Sequence, residues 1–195
     1  MLENHKNLKK WRSKLALKKI LSVCIGNSDR SPAMAAVLRM FLEKAGHDEV
    51  VCESAGIGEN AAKVGGASDF AVVAAKRIGL DITGHCKRHI TSLSLQDYDL
   101  IICASKEIAD KVIKAGADKG KVCNVQVSNP WPCSSQKDYD SAFCQILAAM
   151  YRVAILVMAM ESGDQLAIPV SEALPILEAQ GGDEGKERFV REFGA

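Results

Sequence analysis

Two residues six positions apart, Cys24 and Arg30, are the side chains in this sequence best placed to act together on a ligand. Gly26 lies between them and permits the backbone angles of a tight loop whose N–H groups point inward around an anion. A planar guanidinium can hold two oxygens of a phosphate-like dianion, and a thiolate surrounded by N–H groups and an arginine is nucleophilic near neutral pH. We therefore predict an anion-binding loop with Cys24 as its nucleophile, formed by Cys24, Ile25, Gly26, Asn27, Ser28, Asp29, Arg30 and Ser31.

A strand and a helix are expected to flank this loop and to position it. Residues 19–24 read Lys-Ile-Leu-Ser-Val-Cys, a β-rich run that ends where Gly26 and Asn27 interrupt it. Proline is well tolerated in the first turn of a helix, and from Pro32 onward the pattern turns helical. Its apolar residues recur at intervals of three and four, at Met34, Val37, Leu38, Met40, Phe41 and Leu42. The helix N-terminus adds a partial positive charge to the predicted anion site.

The rest of the pattern predicts an α/β protein. Short apolar runs alternate with helical segments, and the nearly continuous apolar run at 98–103 indicates a strand covered on both faces. Such alternation favours a doubly wound, four-stranded parallel sheet with helices on both faces, and the anion-binding loop follows strand 1. The later strands are predicted at 49–52, 98–103 and 121–127, the later helices at 67–78, 108–115 and 138–160, and a turn at 54–56.

Composition is that of an ordinary soluble chain. Its 195 residues are 48% apolar and carry a formal net charge of +1, which gives no argument for nucleic acid as a partner. The seven cysteines form no CxxC pair and no zinc spacing, so no metal is predicted. The apolar run at 153–160 is too short to cross a bilayer, and the basic start lacks a signal-peptide pattern, which predicts a cytoplasmic protein that binds no membrane. The predicted organisation is a basic N-terminal extension at 1–18, one domain at 19–160 and a C-terminal extension at 161–195.

The loop resembles the signature of the low-molecular-weight protein tyrosine phosphatase family, which is C-x-G-N-x-C-R-S-P after the first strand. Residues 24–32 of this chain read Cys-Ile-Gly-Asn-Ser-Asp-Arg-Ser-Pro. The similarity continues in the family's Ser-Ala-Gly at 54–56, in its Gly-Ile-Asp-x-Ser-Gly-His segment at 79–85 and in its central strand at 98–102. It covers roughly residues 19–152. The resemblance implies an α/β fold and a phosphatase reaction that needs no cofactor.

The resemblance also implies roles for individual side chains. Cys24 would attack phosphorus and form a phosphocysteine, while Arg30 and the loop N–H groups stabilise the equatorial oxygens. Trp131 would form an aromatic wall for a phosphotyrosine ring, with Tyr139 as a second candidate. The implied partner is a phosphorylated protein or a small phosphomonoester, and inorganic phosphate is the product. A network behind the loop would hold it in its anion-ready shape, through Asn27, Ser31, Ser54 and His85.

Two residues depart from the family's pattern. The family protonates the leaving phenolate with the aspartate of an Asp-Pro pair, but this chain has Asn129 before Pro130. An amide cannot donate an acid proton, and general-acid catalysis is typically worth about 10²–10⁴-fold, so turnover of poor leaving groups is expected to fall. Asp29 replaces the second cysteine of the family's loop and is expected to place a carboxylate beside the dianion.

Three explanations for Asn129 compete. In the first, Asp29 supplies the missing proton, although its charge also repels the dianion. In the second, Asp138 or Asp140 reaches the site, although the start of the last helix offers each of them a capping or first-turn role. In the third, the chain binds phosphorylated ligands and turns them over slowly or not at all.

Two alternatives to an efficient phosphatase follow. The third explanation makes the chain a catalytically weak phosphate-binding module. The other alternative is an arsenate reductase, since a related group uses the same loop with a redox cysteine pair just after the central strand. Here Cys103 lies inside that predicted strand and Cys86 precedes it, so the pair is misplaced for this chemistry.

Overall fold

The computed structural model describes residues 17–132 and 135–161, so the predicted extensions at 1–18 and 161–195 fall almost wholly outside the described residues. Four parallel strands pair in the order β2-β1-β3-β4, which confirms the predicted sheet. Because the chain passes from β1 to β2 on one side and then to β3 on the other, the strand order reverses at β1. Ligands of open α/β sheets bind at the carboxyl ends of strands at such a reversal, where the Cys24 loop begins. The strands are β1 Lys19–Cys24, β2 Val51–Gly56, β3 Leu100–Cys103 and β4 Val122–Asn124.

Helices cover both faces of the sheet, as predicted. In the described residues they are α1 Arg30–Lys44, α2 Asp69–Arg77, α3 Lys106–Lys114 and α4 Gln136–Glu161. Helix α1 packs on β1 and β2 and against α4, whereas α3 packs on β3 and β4. All four residues of β3 are buried, as expected for an apolar strand that is covered on both faces. Helix α2 contacts α4 and begins close to the loop that follows β1.

The turn predicted at 54–56 is wrong, because these residues complete β2. The strand runs in register with β1, so that Ser22 pairs with Ser54 and Cys24 pairs with Gly56. A Cβ atom on Gly56 would lie 2.5 Å from the Cβ of Ala61, so a close approach of two segments requires the glycine here. The small residues that suggest a turn therefore allow close packing between segments. Strand β2 ends beside Cys24.

Other boundaries move by a few residues. Helix α1 begins at Arg30, with Pro32 inside its first turn, where a missing N–H costs no helical hydrogen bond. The fourth strand is Val122–Asn124, shorter than the predicted 121–127. The early start of α1 shortens the loop to residues 25–29 and puts the Arg30 backbone at the first helical position.

Helix α4 is the one described segment long and apolar enough, over Gln136–Ala159, to cross a membrane. The uninterrupted apolar run at 153–160 is only the last part of this helix, so the argument from its length does not apply to the whole helix. Length and composition are weak grounds for a membrane span, because the core helix of a soluble protein passes the same test. In this fold 56% of the apolar window is buried, and the inward-facing residues include Ile146, Met150 and Val153.

Candidate active site

The thiol of Cys24 lies between the backbone of the loop and the first turn of α1. Cys24 is the last residue of β1 and is only 3% exposed. The backbone N–H of Asn27 donates to its Sγ atom at 3.2 Å, and the hydroxyl oxygen of Ser31 lies 3.0 Å from the same atom. Both groups can donate a hydrogen bond to the sulfur, and they point at the atom that would attack a bound ligand.

The N–H groups and the carbonyl groups of the loop backbone differ in their hydrogen bonds. In the described part of the chain, the N–H groups of Gly26, Ser28 and Asp29 donate to no protein acceptor. The carbonyl groups are used instead: that of Ile25 accepts from Gly58 at 2.9 Å, and that of Ser28 accepts from Ser68 at 3.1 Å. A short loop that fixes its carbonyls outward and leaves its N–H groups free has the arrangement of an anion-binding nest.

Asn27 is the centre of a hydrogen-bond network behind the loop. Its φ angle is +53°, a left-handed conformation that asparagine adopts more readily than most residues, and it is fully buried. Its side-chain nitrogen donates to the hydroxyls of Ser31 at 2.9 Å and Ser54 at 3.0 Å. Its side-chain oxygen accepts from the backbone N–H of Arg88 at 2.8 Å, and the ring of His85 lies 2.7 Å from its carbonyl oxygen. The structure thus brings together Asn27, Ser31, Ser54 and His85.

His85 supports the loop as a neutral donor. Its Nε2 atom faces the carbonyl of Asn27, which can only accept, so the proton lies on Nε2. Burial lowers the pKa of His85, the hydrogen bond to Asn27 opposes this, and the charges of Arg88 and Lys87 lower the pKa further. The net direction is below the ordinary value.

This direction predicts a pH-dependent stability. Because the pKa of His85 is lower in the folded chain than the value of about 6.5 expected when unfolded, the unfolded chain binds more protons between the two values. The free energy of unfolding should therefore fall as pH drops below about 6.5. Urea unfolding between pH 5 and 8 measures this, and His85→Gln, which retains an amide donor, should flatten the slope. An equal slope in wild type and His85→Gln would contradict the assignment.

Arg30 is a buried cation close to the loop. It is 6% exposed, and one guanidinium nitrogen donates to the carbonyl of Val127 at 3.4 Å. No carboxylate of the described residues forms an ion pair with it within 4.0 Å. A buried charge is costly unless it is paired, so this guanidinium favours an anionic ligand in the loop.

Asp29 is held towards α2 and α4. The hydroxyl of Ser68 donates a hydrogen bond to its carboxylate, and Tyr139 of α4 lies near both residues. Ser68 also caps α2, since its hydroxyl accepts from the N–H of Ala71 at 3.3 Å. Burial raises the pKa of Tyr139, and the charge of Asp29 raises it further. The carboxylate of Asp29 therefore ties the loop to the start of α2, which gives no support to a role as proton donor.

The residues predicted to face the loop from the segment after β4 are open to solvent. Asn129 is exposed, and Trp131 is 66% exposed, so both are free to meet a bound substrate. Tyr139 is only 3% exposed, and its ring stacks on that of Phe70 with the ring centroids 5.2 Å apart. Tyr139 is thus a packing residue, whereas Trp131 is available as a wall.

The two acidic residues at the start of α4 have local partners. The Asp138 carboxylate accepts from the hydroxyl of Ser135, whose oxygen accepts from the N–H of Asp138 at 3.3 Å, as in a helix cap. Asp140 pairs with Arg77 of α2 and accepts from Gln136 at 2.9 Å. These contacts favour the helix-capping interpretation over proton delivery to the loop.

The two cysteines that a reductase would need differ in their exposure to solvent. Cys103 is fully buried in β3, and burial raises the pKa of its thiol well above the usual range. Cys86 is exposed, and neither it nor Cys103 is disulfide-bonded. A buried, protonated thiol is a poor nucleophile, so Cys103 is unsuited to a redox relay.

Sequence reasoning missed the roles of Arg88 and Ser68. The Arg88 guanidinium donates to Glu53 and to the carbonyl of Ser54, both at 3.2 Å, and so fastens β2 behind the loop. The only signal for the role of Arg88 is its position, three residues after His85, which ends the segment that resembles the family. For Ser68 the one signal is its place as a cap before a helical run.

The fold and this site are those of a known protein family. Residues 19–136 match the profile of the family described as low molecular weight phosphotyrosine protein phosphatase, and the chain belongs to that family. Among curated proteins it is similar to the low molecular weight protein-tyrosine-phosphatase Wzb of Escherichia coli K12, with 35% identity over 104 residues. The aligned part is 53% of this chain and 66% of that protein, so the chain spans slightly less than two thirds of this relative.

Solved structures share the fold. Vibrio vulnificus Wzb in complex with benzylphosphonate is 28% identical, with a TM-score of 0.64 over 72% of this chain and 99% of that one. The tyrosine phosphatase Wzb of Escherichia coli K30 in complex with sulphate is 25% identical, with the same TM-score and the same two coverages.

Proposed function

We propose that the chain hydrolyses phosphotyrosine-like monoesters through a phosphocysteine on Cys24. The observation that carries the proposal is the loop itself, the short segment that begins at Cys24. Among the described residues, several of its N–H groups have no acceptor and the guanidinium of Arg30 has no carboxylate partner. Family membership supports the reaction class. We place the activity in the domain at 19–160 and in the cytoplasm, with phosphorylated proteins or small phosphomonoesters as substrates.

In the first step the phosphoryl group binds in the loop and is transferred to sulfur. The loop N–H groups and Arg30 hold the three equatorial oxygens, where negative charge is concentrated in the transition state. A bond forms between Cys24 Sγ and phosphorus as the ester P–O bond breaks, and the leaving oxygen departs with the electron pair. Asn129, in the position of the family's acid, leaves that oxygen unprotonated.

In the second step water attacks the phosphocysteine, the S–P bond breaks, and inorganic phosphate leaves. The departing thiolate would accept hydrogen bonds from the Asn27 N–H, at 3.2 Å, and from the Ser31 hydroxyl, at 3.0 Å. Both donors are held by the network around the Asn27 side chain. They therefore stabilise the charge without a reorganisation of the loop.

The rate should depend strongly on the leaving group. 4-Nitrophenolate leaves readily without a proton, whereas the phenolate of phosphotyrosine does not. We expect kcat/KM for 4-nitrophenyl phosphate to exceed that for a phosphotyrosine peptide by about 10²–10⁴-fold, the usual worth of a general acid. Steady-state assays of both substrates with the full chain measure this ratio, and a ratio near one would mean that another residue supplies the proton.

A phosphate-binding module is the second candidate, and Asn129 is the observation that favours it. If the chain binds vanadate or phosphate but hydrolyses neither substrate, the module replaces the enzyme. A reductase would instead oxidise thiols in an arsenate-dependent manner, and the burial of Cys103 argues against that result.

A further inference from the structure

A cavity of about 470 Å³ opens behind the phosphate loop, separate from its free N–H groups. It lies between the first half of α1, strand β2 and the segment at 81–88. None of residues 24–31 lines it. Its volume falls within the range of about 300–1,000 Å³ that is usual for small-molecule sites.

Arg39 is the lining arginine that has no carboxylate partner among the residues that the structure describes. Arg39 of α1 donates to the carbonyl of Cys52 at 2.8 Å, and no described carboxylate forms an ion pair with it within 4.0 Å. The other lining arginine, Arg88, already holds Glu53 and Ser54. Arg39 is therefore the group in this cavity that can take a new anion.

The acidic residues of the cavity are already engaged. Glu53 accepts from Arg88 at 3.2 Å and from the hydroxyl of Tyr98 at 2.7 Å, and Lys19 lies 3.4 Å away. Asp81 accepts from both the N–H and the hydroxyl of Thr83, at 2.9 and 2.6 Å. These partners reduce the repulsion that the two carboxylates would exert on an incoming anion.

An apolar wall lies beside Arg39. Ala35 and Ala36 precede it on α1, and Pro32 and Ile82 complete the wall. Small side chains on a helix leave room for a flat hydrocarbon group against the helix surface. The cavity thus offers one guanidinium and an adjacent apolar surface, which is the complement of a compact amphipathic anion.

We propose that this cavity binds a small organic carboxylate, whose charged group pairs with Arg39 and whose apolar body packs on Ala35, Ala36 and Ile82. Three lining residues, Ser54, His85 and Arg88, also hold Asn27 of the phosphate loop. The second site is distinct from the one that binds the substrate phosphate, and the proposal does not depend on turnover.

Phenylacetate is the probe, titrated into the full chain with inorganic phosphate saturating the active site and followed by NMR of the backbone amides. We expect saturable shifts at residues 35–39 and 81–88. Binding should weaken by about tenfold or more in Arg39→Ala, because a charge-assisted hydrogen bond is lost. Lys114→Ala, which removes one positive charge from the exposed end of α3, should bind as wild type does.

Two further measurements keep the test decisive if Arg39→Ala is perturbed. Phenylacetamide has the same shape without the charge, and should bind at least about tenfold more weakly than phenylacetate to wild type but equally to Arg39→Ala. Ala36→Leu should fill the cavity and reduce binding while its melting temperature stays near that of wild type. The proposal is overturned if wild type shows no saturable shift, if the shifts map to residues 24–31, or if Arg39→Ala binds phenylacetate as tightly as wild type.

Discussion

Cys24→Ser should abolish hydrolysis of 4-nitrophenyl phosphate, with a loss in kcat of about 10⁴-fold or more. The serine hydroxyl is a far weaker nucleophile than the thiolate at neutral pH, and no described side chain is placed to activate it as a base. Binding of inorganic phosphate should survive, because the loop N–H groups and Arg30 are unchanged. Calorimetry with phosphate therefore separates a chemical defect from a collapsed loop.

Matched controls are available among the other thiols. Cys86 and Cys144 are exposed and lie outside the loop, so Cys86→Ser and Cys144→Ser should keep wild-type kcat. Wild-type enzyme quenched during turnover should carry a phosphoryl adduct on Cys24 by mass spectrometry. Retained hydrolysis in Cys24→Ser would rule out the phosphocysteine route.

Asn129→Asp should raise kcat/KM for a phosphotyrosine peptide by about 10²-fold or more. The substitution changes an amide into a carboxylic acid of nearly the same shape, and the side chain is exposed in the segment after β4, so folding should be unaffected. A general acid protonates the leaving oxygen and is worth about 10²–10⁴-fold. For 4-nitrophenyl phosphate the gain should be small, since that leaving group needs little protonation.

The pH profile adds a second criterion for Asn129→Asp. Activity of the variant on the peptide should decline at high pH, where the introduced carboxyl group loses its proton. Ser128→Asp puts the same group one residue earlier, where the backbone N–H donates to Gln145 at 2.8 Å, and should give no comparable gain. An equal gain from Ser128→Asp would show that added charge, and not a positioned acid, is responsible.

The strand, loop and helix around Cys24 could be predicted because their signals are local. Gly26 and Asn27 interrupt an apolar run, and the helical periodicity starts within a turn of Arg30. The sheet followed from alternation of apolar runs with helical segments. Only the resemblance pointed to Ser54 and His85, since their contacts with Asn27 span 27 and 58 residues.

The errors have a common physical origin in non-local packing. Ser-Ala-Gly at 54–56 has the composition of a turn, but pairing with β1 and the close approach of Ala61 make it a strand. The contact of Asp29 with Ser68 is equally non-local, because 39 residues separate the two. Neither contact has a signature in sequence spacing.

The anchoring of Asp29 has a consequence for oxidative damage. In the family pattern a second cysteine occupies this position, close enough in sequence to Cys24 to capture its sulfenic acid as a disulfide. A carboxylate bound to the Ser68 hydroxyl keeps the loop fixed but cannot form that disulfide. Peroxide would therefore oxidise Cys24 to the sulfinic acid, which thiol reductants do not reverse. The loop stays rigid, but its nucleophile cannot be recovered after this oxidation.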